Sequence, residues 1–304
     1  AEAAQFHWHP NEVQGTAWDY IVVGGGLSGL VVSRRLAEEK GTKVLVIEPG
    51  TDERKNPDIY KVSKYGAVYD TPLDWAFKTT PQAVIGNHTR KIRGGRVLGG
   101  STAINGAAWN RAAKSQYDLL GDIVGDDRFN FATLQSYMNR AESFVPPNAA
   151  QRKAGADYVP SAHGKNGPLS IGFSPIHLAK RMFTGPAPRV FIEAVNAVLH
   201  APTLRDQCDG NNTGVAFTPT SISQQDTRQA SYMYLNGTHD NLHILLGNRV
   251  THLLWNDGTP RTATGVQVQG KAEDKPTVVH ANGDVILAAG ALNTPGIIER
   301  SGDG

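Results

Sequence analysis

Six residues near the N-terminus and one carboxylate downstream have the types and spacing to hold a phosphate-bearing ligand. They are Gly24-Gly25-Gly26-Leu27-Ser28-Gly29 and, about 20 positions on, Glu48. In a turn of this kind Gly24 supplies backbone angles closed to other residues. Gly26 leaves a pyrophosphate room to approach, and Gly29 lets a helix pack closely on a strand. The N–H groups at the helix start, Leu27 and Ser28 among them, then face phosphate oxygens at the positive end of the helix dipole. Glu48 stands where a carboxylate accepts hydrogen bonds from an adenosine ribose, and its charge disfavours a 2′-phosphate, hence NADP. NAD and FAD both satisfy these residues.

A second constellation, Gly95-Arg96-Val97-Leu98-Gly99-Gly100-Ser101-Thr102-Ala103-Ile104-Asn105-Gly106, suits a backbone that comes close to a flat, phosphate-bearing ligand. The hydroxyls and free N–H groups of Gly99-Gly100-Ser101-Thr102 can bind ligand oxygens.

The elements that must position these residues are legible around them. Asp19-Tyr20-Ile21-Val22-Val23 is an apolar, β-branched run suited to a strand buried on both faces of a parallel sheet. Leu27 to Glu39 reads as a helix with Leu27, Leu30, Val31 and Leu36 on an apolar face opposite Arg34, Arg35, Glu38 and Glu39. Lys43-Val44-Leu45-Val46-Ile47 is a second strand ending at Glu48. Further on, helices are expected near Leu134 to Glu142 and Arg189 to His200, and short strands at Leu242 to Leu246 and Val250 to Trp255. Gly265 to Gln269 and Thr277 to His280 read as a hairpin, and Asp284 to Gly290 as a buried strand returning to the ligand.

Gly95 through Asp118, with Asn105, Trp109 and Asp118 at their spacings, resembles the first signature of the glucose-methanol-choline (GMC) oxidoreductases. Gly290-Ala291-Leu292-Asn293-Thr294-Pro295-Gly296-Ile297-Ile298-Glu299-Arg300-Ser301-Gly302-Asp303-Gly304 resembles the second, departing from it at Asp303, where the family carries an aliphatic residue. Leu73 to Gln82 is similar to the family's approach to the flavin loop. The resemblance implies FAD, and an α/β fold with a Rossmann-like FAD-binding domain, discontinuous in sequence, beside an incomplete α+β substrate domain. Residues 17–118 and 228–304 would form the first and 119–227 part of the second. As cofactor contacts it implies Gly24, Gly26, Leu27, Ser28, Gly29, Glu48, Arg96, Gly99, Gly100, Ser101, Asn105, Gly106, Val250 and Ala289.

Asn148-Ala149-Ala150-Gln151, Ala154-Gly155, His163-Gly164-Lys165-Asn166-Gly167 and Lys64-Tyr65-Gly66 resemble the family's secreted glucose oxidase and glucose dehydrogenase branch. By that resemblance Tyr65 is an aromatic wall of a sugar pocket; read as a residue alone, it is equally a Tyr packed at a domain edge.

The activity implied is oxidation of a primary alcohol or sugar. A His base takes the hydroxyl proton while a hydride moves to flavin N5, with oxygen or a quinone as final acceptor. In the family that base, and a partnering His or Asn, lie near the C-terminus. This chain stops at the second signature, so no residue in it is nominated as catalytic. The rest of the substrate domain is expected in a longer chain or a second polypeptide. A hydroxynitrile lyase of the same fold and a non-catalytic flavin-binding fragment are the alternatives.

Composition narrows the rest. With 39% hydrophobic and 19% charged residues the chain is globular rather than disordered, and no apolar stretch approaches a membrane span. A net charge of +2 without a basic run leaves no electrostatic footprint for nucleic acid. Cys208 is the only cysteine, which rules out an intrachain disulfide and points to a small buried side chain; no metal site is expected. His163, beside two glycines, reads as a loop residue rather than a catalytic one. His239 and His243 are four apart, but Asn241 and the β-like run after it argue against a shared helix face. The sequons at Asn87, Asn211 and Asn236 and the lack of an initiator Met suggest a processed, glycosylated, extracellular protein.

Overall fold

The computed structural model describes residues 4–173, 186–237, 240–270 and 275–302. Asp303, at the departure from the second signature, and His239 lie outside the described residues, as does Thr238 of the third sequon. The chain divides into two compact units. One comprises residues 1–60, 64–105 and 230–304, the other residues 61–63 and 106–229.

In chain order the first unit begins with β1 (Gln5–His7), β2 (Trp18–Val23), α1 (Leu27–Leu36), β3 (Val44–Glu48) and α2 (Pro57–Tyr60), followed by β4 (Phe77–Lys78) and β5 (Lys91–Ile92). The second unit contributes α3 (Lys114–Val124), α4 (Phe131–Arg140), β6 (Glu142–Val145), α5 (Ala149–Ala154), β7 (Leu169–Gly172) and α6 (Pro186–Leu199). The first unit resumes with β8 (Leu242–Leu246), β9 (Arg249–Trp255), β10 (Ala263–Gln269), β11 (Thr277–Leu287) and α7 (Asn293–Arg300).

Seven strands form one sheet in the order β1-β8-β3-β2-β11-β10-β9. The first five pair in parallel, and β11-β10 and β10-β9 pair antiparallel. The near-continuous apolar runs of β2 and β3 are explained by burial on two faces. Val22, Val44, Val46 and Ile244 join Leu30 and Ala37 of the α1 region in one cluster, while Ile21, Val23, Leu45 and Ile47 join a second. That second cluster takes Val250, Leu253, Val266 and Val268 from the antiparallel strands and Ile297 from α7. Alternate residues of one strand thus feed opposite faces, as its pleat requires.

Several expected elements shift. The helix placed at Leu134 to Glu142 runs over Phe131–Arg140, because the Asn130 side chain caps it by accepting the Thr133 N–H at 3.0 Å. Glu142 belongs to β6. The helix at Arg189 starts at Pro186, a residue suited to a first turn that needs no N–H partner. The expected hairpin strand and the expected returning strand are one element, β11. Its start, Thr277–His280, pairs with β10, and its end, Asp284–Leu287, pairs with β2 in register Val23↔Leu287. Val285 to Leu287 are half-buried rather than fully enclosed.

In the second unit β6 and β7 pair in parallel, Glu142↔Leu169 to Val145↔Gly172. Gly172 exchanges hydrogen bonds with Thr220. No helix among the described residues is long and apolar enough to cross a membrane.

Candidate functional site

The glycine turn sits between the ends of β2 and β3. Gly24 has φ +106°, in the region that favours glycine, and its N–H donates to the Ile47 carbonyl at 2.8 Å. A Cβ on Gly29 would run into the Gly24 carbonyl oxygen, so helix and turn touch only because Gly29 lacks a side chain, while a Cβ on Gly24 would run into the Ala288 carbonyl. Gly26 differs: a Cβ there would meet nothing nearer than the Gly100 Cα at 3.8 Å. The space in front of Gly26 is therefore open cavity. Gly26 is the N-cap of α1, so the first-turn N–H groups, which have no intrahelical acceptor, point where no side chain intrudes.

The second glycine segment closes on the first. The Gly99 N–H donates to the Gly25 carbonyl at 2.8 Å, and Gly100, at φ +54°, packs so closely that a Cβ would lie 2.7 Å from the Gly26 Cα. Ser101 Oγ accepts from the Gly95 N–H at 3.2 Å and leaves its hydroxyl proton free to turn outward. From the other side the Ala288 N–H donates to the Val23 carbonyl at 2.8 Å, which places Ala289 beside the turn.

Glu48 is 4% exposed, and both its oxygens are engaged. Oε2 accepts the Gly25 N–H and Oε1 the Gly50 N–H, each at 2.8 Å. Burial pushes its pKa up to about 7, against the lowering by these two donors and by the Arg96 charge. Its carboxyl still reaches the cavity, with room for further donors.

The cavity in front of these groups measures about 690 Å³. Gly24, Gly26, Leu27, Ser28, Glu48, Gly100, Ser101, Val250 and Ala289 line it. The structure therefore brings together nine of the sequence-derived candidates from five separate segments. Gly29 and Gly99 lie behind the surface. Arg96 stands beside the cavity, its guanidinium 5.4 Å from the Trp75 ring. Asn105 follows Ser101 by one turn, its N–H donating to the Ser101 carbonyl, and Gly106 opens the second unit; neither lines the cavity. Tyr65 is 57% exposed, edge-on to Tyr69 at 5.6 Å, and outside the lining. Leu27 corrects the helical-face reading. It is 55% exposed at the cavity mouth, whereas Leu30 is fully buried, because the first turn of α1 projects beyond the ends of β2 and β3. Sequence reasoning missed Trp75, Phe77, Arg249 and Arg300, which also line the cavity. Trp75 and Phe77 stand in the Leu73 to Gln82 stretch and Arg300 in the second signature, so the resemblance marked their segments without marking the residues; Arg249 had only its place beside Val250 as a signal.

The residues fit a dinucleotide: unpaired first-turn N–H groups for a pyrophosphate, a buried carboxylate for a ribose, and two glycine segments that leave no side chain in the way.

The second unit holds a different cluster. His163, expected in a loop, is buried with its ring between two carboxylates. Nε2 lies 2.9 Å from Asp206 Oδ2, and Nδ1 lies 3.2 Å from Glu142 Oε2. Arg111 donates to Glu142 Oε1 at 2.5 Å. The two glycines that follow it serve close approach, since side chains at Gly164 and Gly167 would collide with the Asn139 carbonyl and the Ala141–Glu142 backbone. Burial alone would lower the His163 pKa, but the bonds and charges of Asp206 and Glu142 outweigh it and raise it. Cys208 is fully buried and its thiol is pushed by burial up to about 12. The nitrogen, oxygen and sulfur of His163, Asp206 and Cys208 lie within 4.8 Å of one another. Asp206 nevertheless spends its oxygens on His163 and on the Val159 and Cys208 N–H groups, and the thiol stays protonated, so the trio is closed on itself. The sequons at Asn87 and Asn211 are exposed, as is Asn236 itself.

The sequence profile of the GMC oxidoreductase family matches residues 18–304. Glucose oxidase 2 of Penicillium expansum is 36% identical over 300 residues, covering 97% of this chain and 48% of that protein. An FAD-dependent oxidoreductase from Chaetomium thermophilum superposes with a TM-score of 0.85 at 28% identity, over 94% of this chain and 48% of the other. A fungal aryl-alcohol oxidase superposes at 0.82 with 26% identity, over 94% and 48%. The chain spans about half the length of the curated relatives it matches.

Proposed function

We propose, since the chain belongs to the GMC oxidoreductase family, whose cofactor is FAD, that the cavity of its first unit holds FAD. The protein containing it then oxidises a primary alcohol or a sugar hydroxyl, a glucose-type sugar foremost. The observation that carries this reading is the convergence of the α1 first turn, Glu48 and the Gly100-Ser101 backbone on one cavity.

When bound, FAD supplies the acceptor for a hydride from the carbinol carbon, with oxygen or a quinone taking the electrons afterwards. This chain's residues bind and orient. The N–H groups of the α1 first turn hold the pyrophosphate, unobstructed at Gly26. Glu48 accepts from the ribose hydroxyls. Gly100, Ser101 and Ala289 offer backbone and hydroxyl groups at the other side of the turn. No histidine is among the described residues lining the cavity, so the proton-accepting base is assigned to the half of the relatives' length that this chain does not span. Tyr65 remains a proposed wall of the sugar pocket on resemblance alone.

The test is anaerobic mixing of the full-length protein with glucose and with an aryl alcohol. Loss of the flavin's visible absorption is expected, faster with glucose. Persistent yellow colour with both, accompanied by cleavage of a cyanohydrin, would replace oxidation with lyase chemistry. Colourless protein that takes up no FAD would overturn the cavity assignment itself. Secretion and glycosylation at Asn87, Asn211 or Asn236 are proposed from the exposed sequons; endoglycosidase should lower the mass of protein made in a fungal host, and an unchanged mass removes this support.

A further inference from the structure

The N-terminal segment lies along one edge of the seven-stranded sheet, where β1 pairs in parallel with β8 through Gln5↔His243, Phe6↔Ile244 and His7↔Leu245. Two histidines of that pairing meet. His7 Nε2 lies 2.9 Å from His243 Nδ1, with ring centroids 5.2 Å apart and planes 14° from parallel. On its other side His7 Nδ1 meets Glu12 Oε2 at 3.2 Å, and the Trp18 ring closes edge-on against His243 at 4.8 Å.

Imidazole chemistry gives this contact three states. With one N–H on each ring, His7 donates from Nδ1 to Glu12 and accepts at Nε2 from His243 Nδ1. With one proton more, His7 donates from both nitrogens, so the bond to His243 reverses direction and survives. With a second added proton both facing nitrogens carry hydrogen, neither can accept, and two like charges meet.

The charged groups described around the pair are Glu12 in the turn after β1, Asp240 ahead of β8 and Lys43 ahead of β3. From β2 comes Trp18, while Asp19 beside it turns its carboxylate to the Lys43 N–H. Burial first, then the His7 charge and Lys43 against Asp240, push the His243 pKa from 6.5 down to about 4. A histidine lowered in this way contributes stability that is present above 6.5 and is lost as pH falls to about 4. The segment's other ties take up no proton in that range. Asn248 Nδ2 donates to the Trp8 carbonyl at 3.0 Å, Gln5 Nε2 donates to the Asp240 carbonyl at 2.8 Å, and the Arg54 guanidinium lies over the Phe6 ring. Glu12, held below 4.5 by the His9 N–H, stays ionised through most of it.

We propose that His7, His243 and Glu12 form a proton-operated latch, which holds β1 on β8 while the two rings share at most one added proton and releases residues 4–9 in mild acid. Release bares the edge N–H and C=O groups of β8, a surface open to pairing with another strand. The direction is opposite to that of Glu48 and His163, whose raised pKa values make their stabilisation greatest in acid. The latch is independent of the cofactor.

The test is hydrogen–deuterium exchange of the full-length protein, read by mass spectrometry from about pH 7 to about pH 4 and corrected for the intrinsic exchange rate. Protection of residues 4–9 should fall about a hundredfold, roughly tenfold for each unit by which the His243 pKa is lowered, while β2 and β3 stay protected. His243→Gln and His7→Gln each leave a single imidazole, whose extra proton the amide oxygen can accept. Both should hold the segment throughout and lose the acid release. His7→Phe offers no nitrogen and should leave residues 4–9 unprotected at both ends of the range. Acid release persisting in either Gln variant as in the parent would overturn the inference, as would His7→Phe protected like the parent near neutral pH. Parent protection that is equal at both ends of the range, or absent already near neutral pH, would overturn it too.

Discussion

The cavity of the first unit and the His163 cluster of the second are both built around buried carboxylates, and they treat charge in opposite ways. Glu48 has two backbone donors and no cation in contact, so burial lifts its pKa. Glu142 and Asp206 have Arg111 and a histidine whose two ring nitrogens each meet an acceptor. An imidazole placed that way favours its doubly protonated form, and the bonds and charges of Asp206 and Glu142 raise the His163 pKa accordingly. One region is left open to a ligand; the other is closed by the protein itself.

The largest test of that contrast is Glu142→Ala. It leaves Arg111 and His163 buried without their shared partner, and about 3–5 kcal/mol of stability should be lost in urea unfolding. A loss under 1 kcal/mol would mean the cluster is no closed unit. Gly26→Val addresses the open region. Flavin affinity should fall by about 3 kcal/mol, or more than a hundredfold, while the flavin-free protein loses only about 1 kcal/mol in urea unfolding, the cost of a poorer N-cap, since a Cβ there meets nothing nearer than the Gly100 Cα at 3.8 Å. Equal yellow colour in variant and parent would break the assignment.

Titration sharpens the comparison. Glu48's folded pKa, about 7, lies above its ordinary 4.5, so its contribution is fully present below 4.5 and is lost as pH rises through about 7. The loss in flavin-free protein should be about 3–4 kcal/mol. His163, raised above 6.5, shifts in the same direction, its stabilisation disappearing as pH climbs past its folded value. Saturating FAD, whose ribose hydroxyls would donate to the carboxylate, should flatten the Glu48 part and spare the His163 part; Glu48→Gln should do the same without ligand. A pH slope unaltered by either would unseat Glu48. The smallest effect belongs to Cys208→Ala, about 1 kcal/mol for a methyl-sized void beside the cluster. The parent thiol, pushed to about 12, should resist disulfide reagents until the protein unfolds.

What the sequence disclosed follows from locality. The β2-turn-α1-β3 unit and Glu48 are written in consecutive residues, and burial on two faces leaves an apolar run that few other elements share. β1 escaped notice because three residues carry no period. The joined β11 escaped because its midpoint, Asn282-Gly283-Asp284, reads as a break although it remains in the sheet. Arg111, Glu142, His163 and Asp206 have no common spacing, and only the folded backbone assembles them. The glycines beside His163 were read as looseness when they mark contact. Trp75 and Arg249 stand in or beside segments marked by resemblance, but their own part in the cavity shows only where the β4 bend and the start of β9 meet.

β11 also fixes an order of events. The glycine turn follows a strand flanked on one side by β3 and on the other by residues 281–287, which lie far later in the sequence. On a ribosome the turn is made early but cannot be finished early: β8 and β11 reach it only after residues 106–229 have emerged. Long-range parallel pairing of this kind is slow to close. The nascent chain therefore carries the apolar strands β2 and β3 unpaired on their outer edges until β8 and β11 emerge, and cofactor capture follows the completion of the sheet.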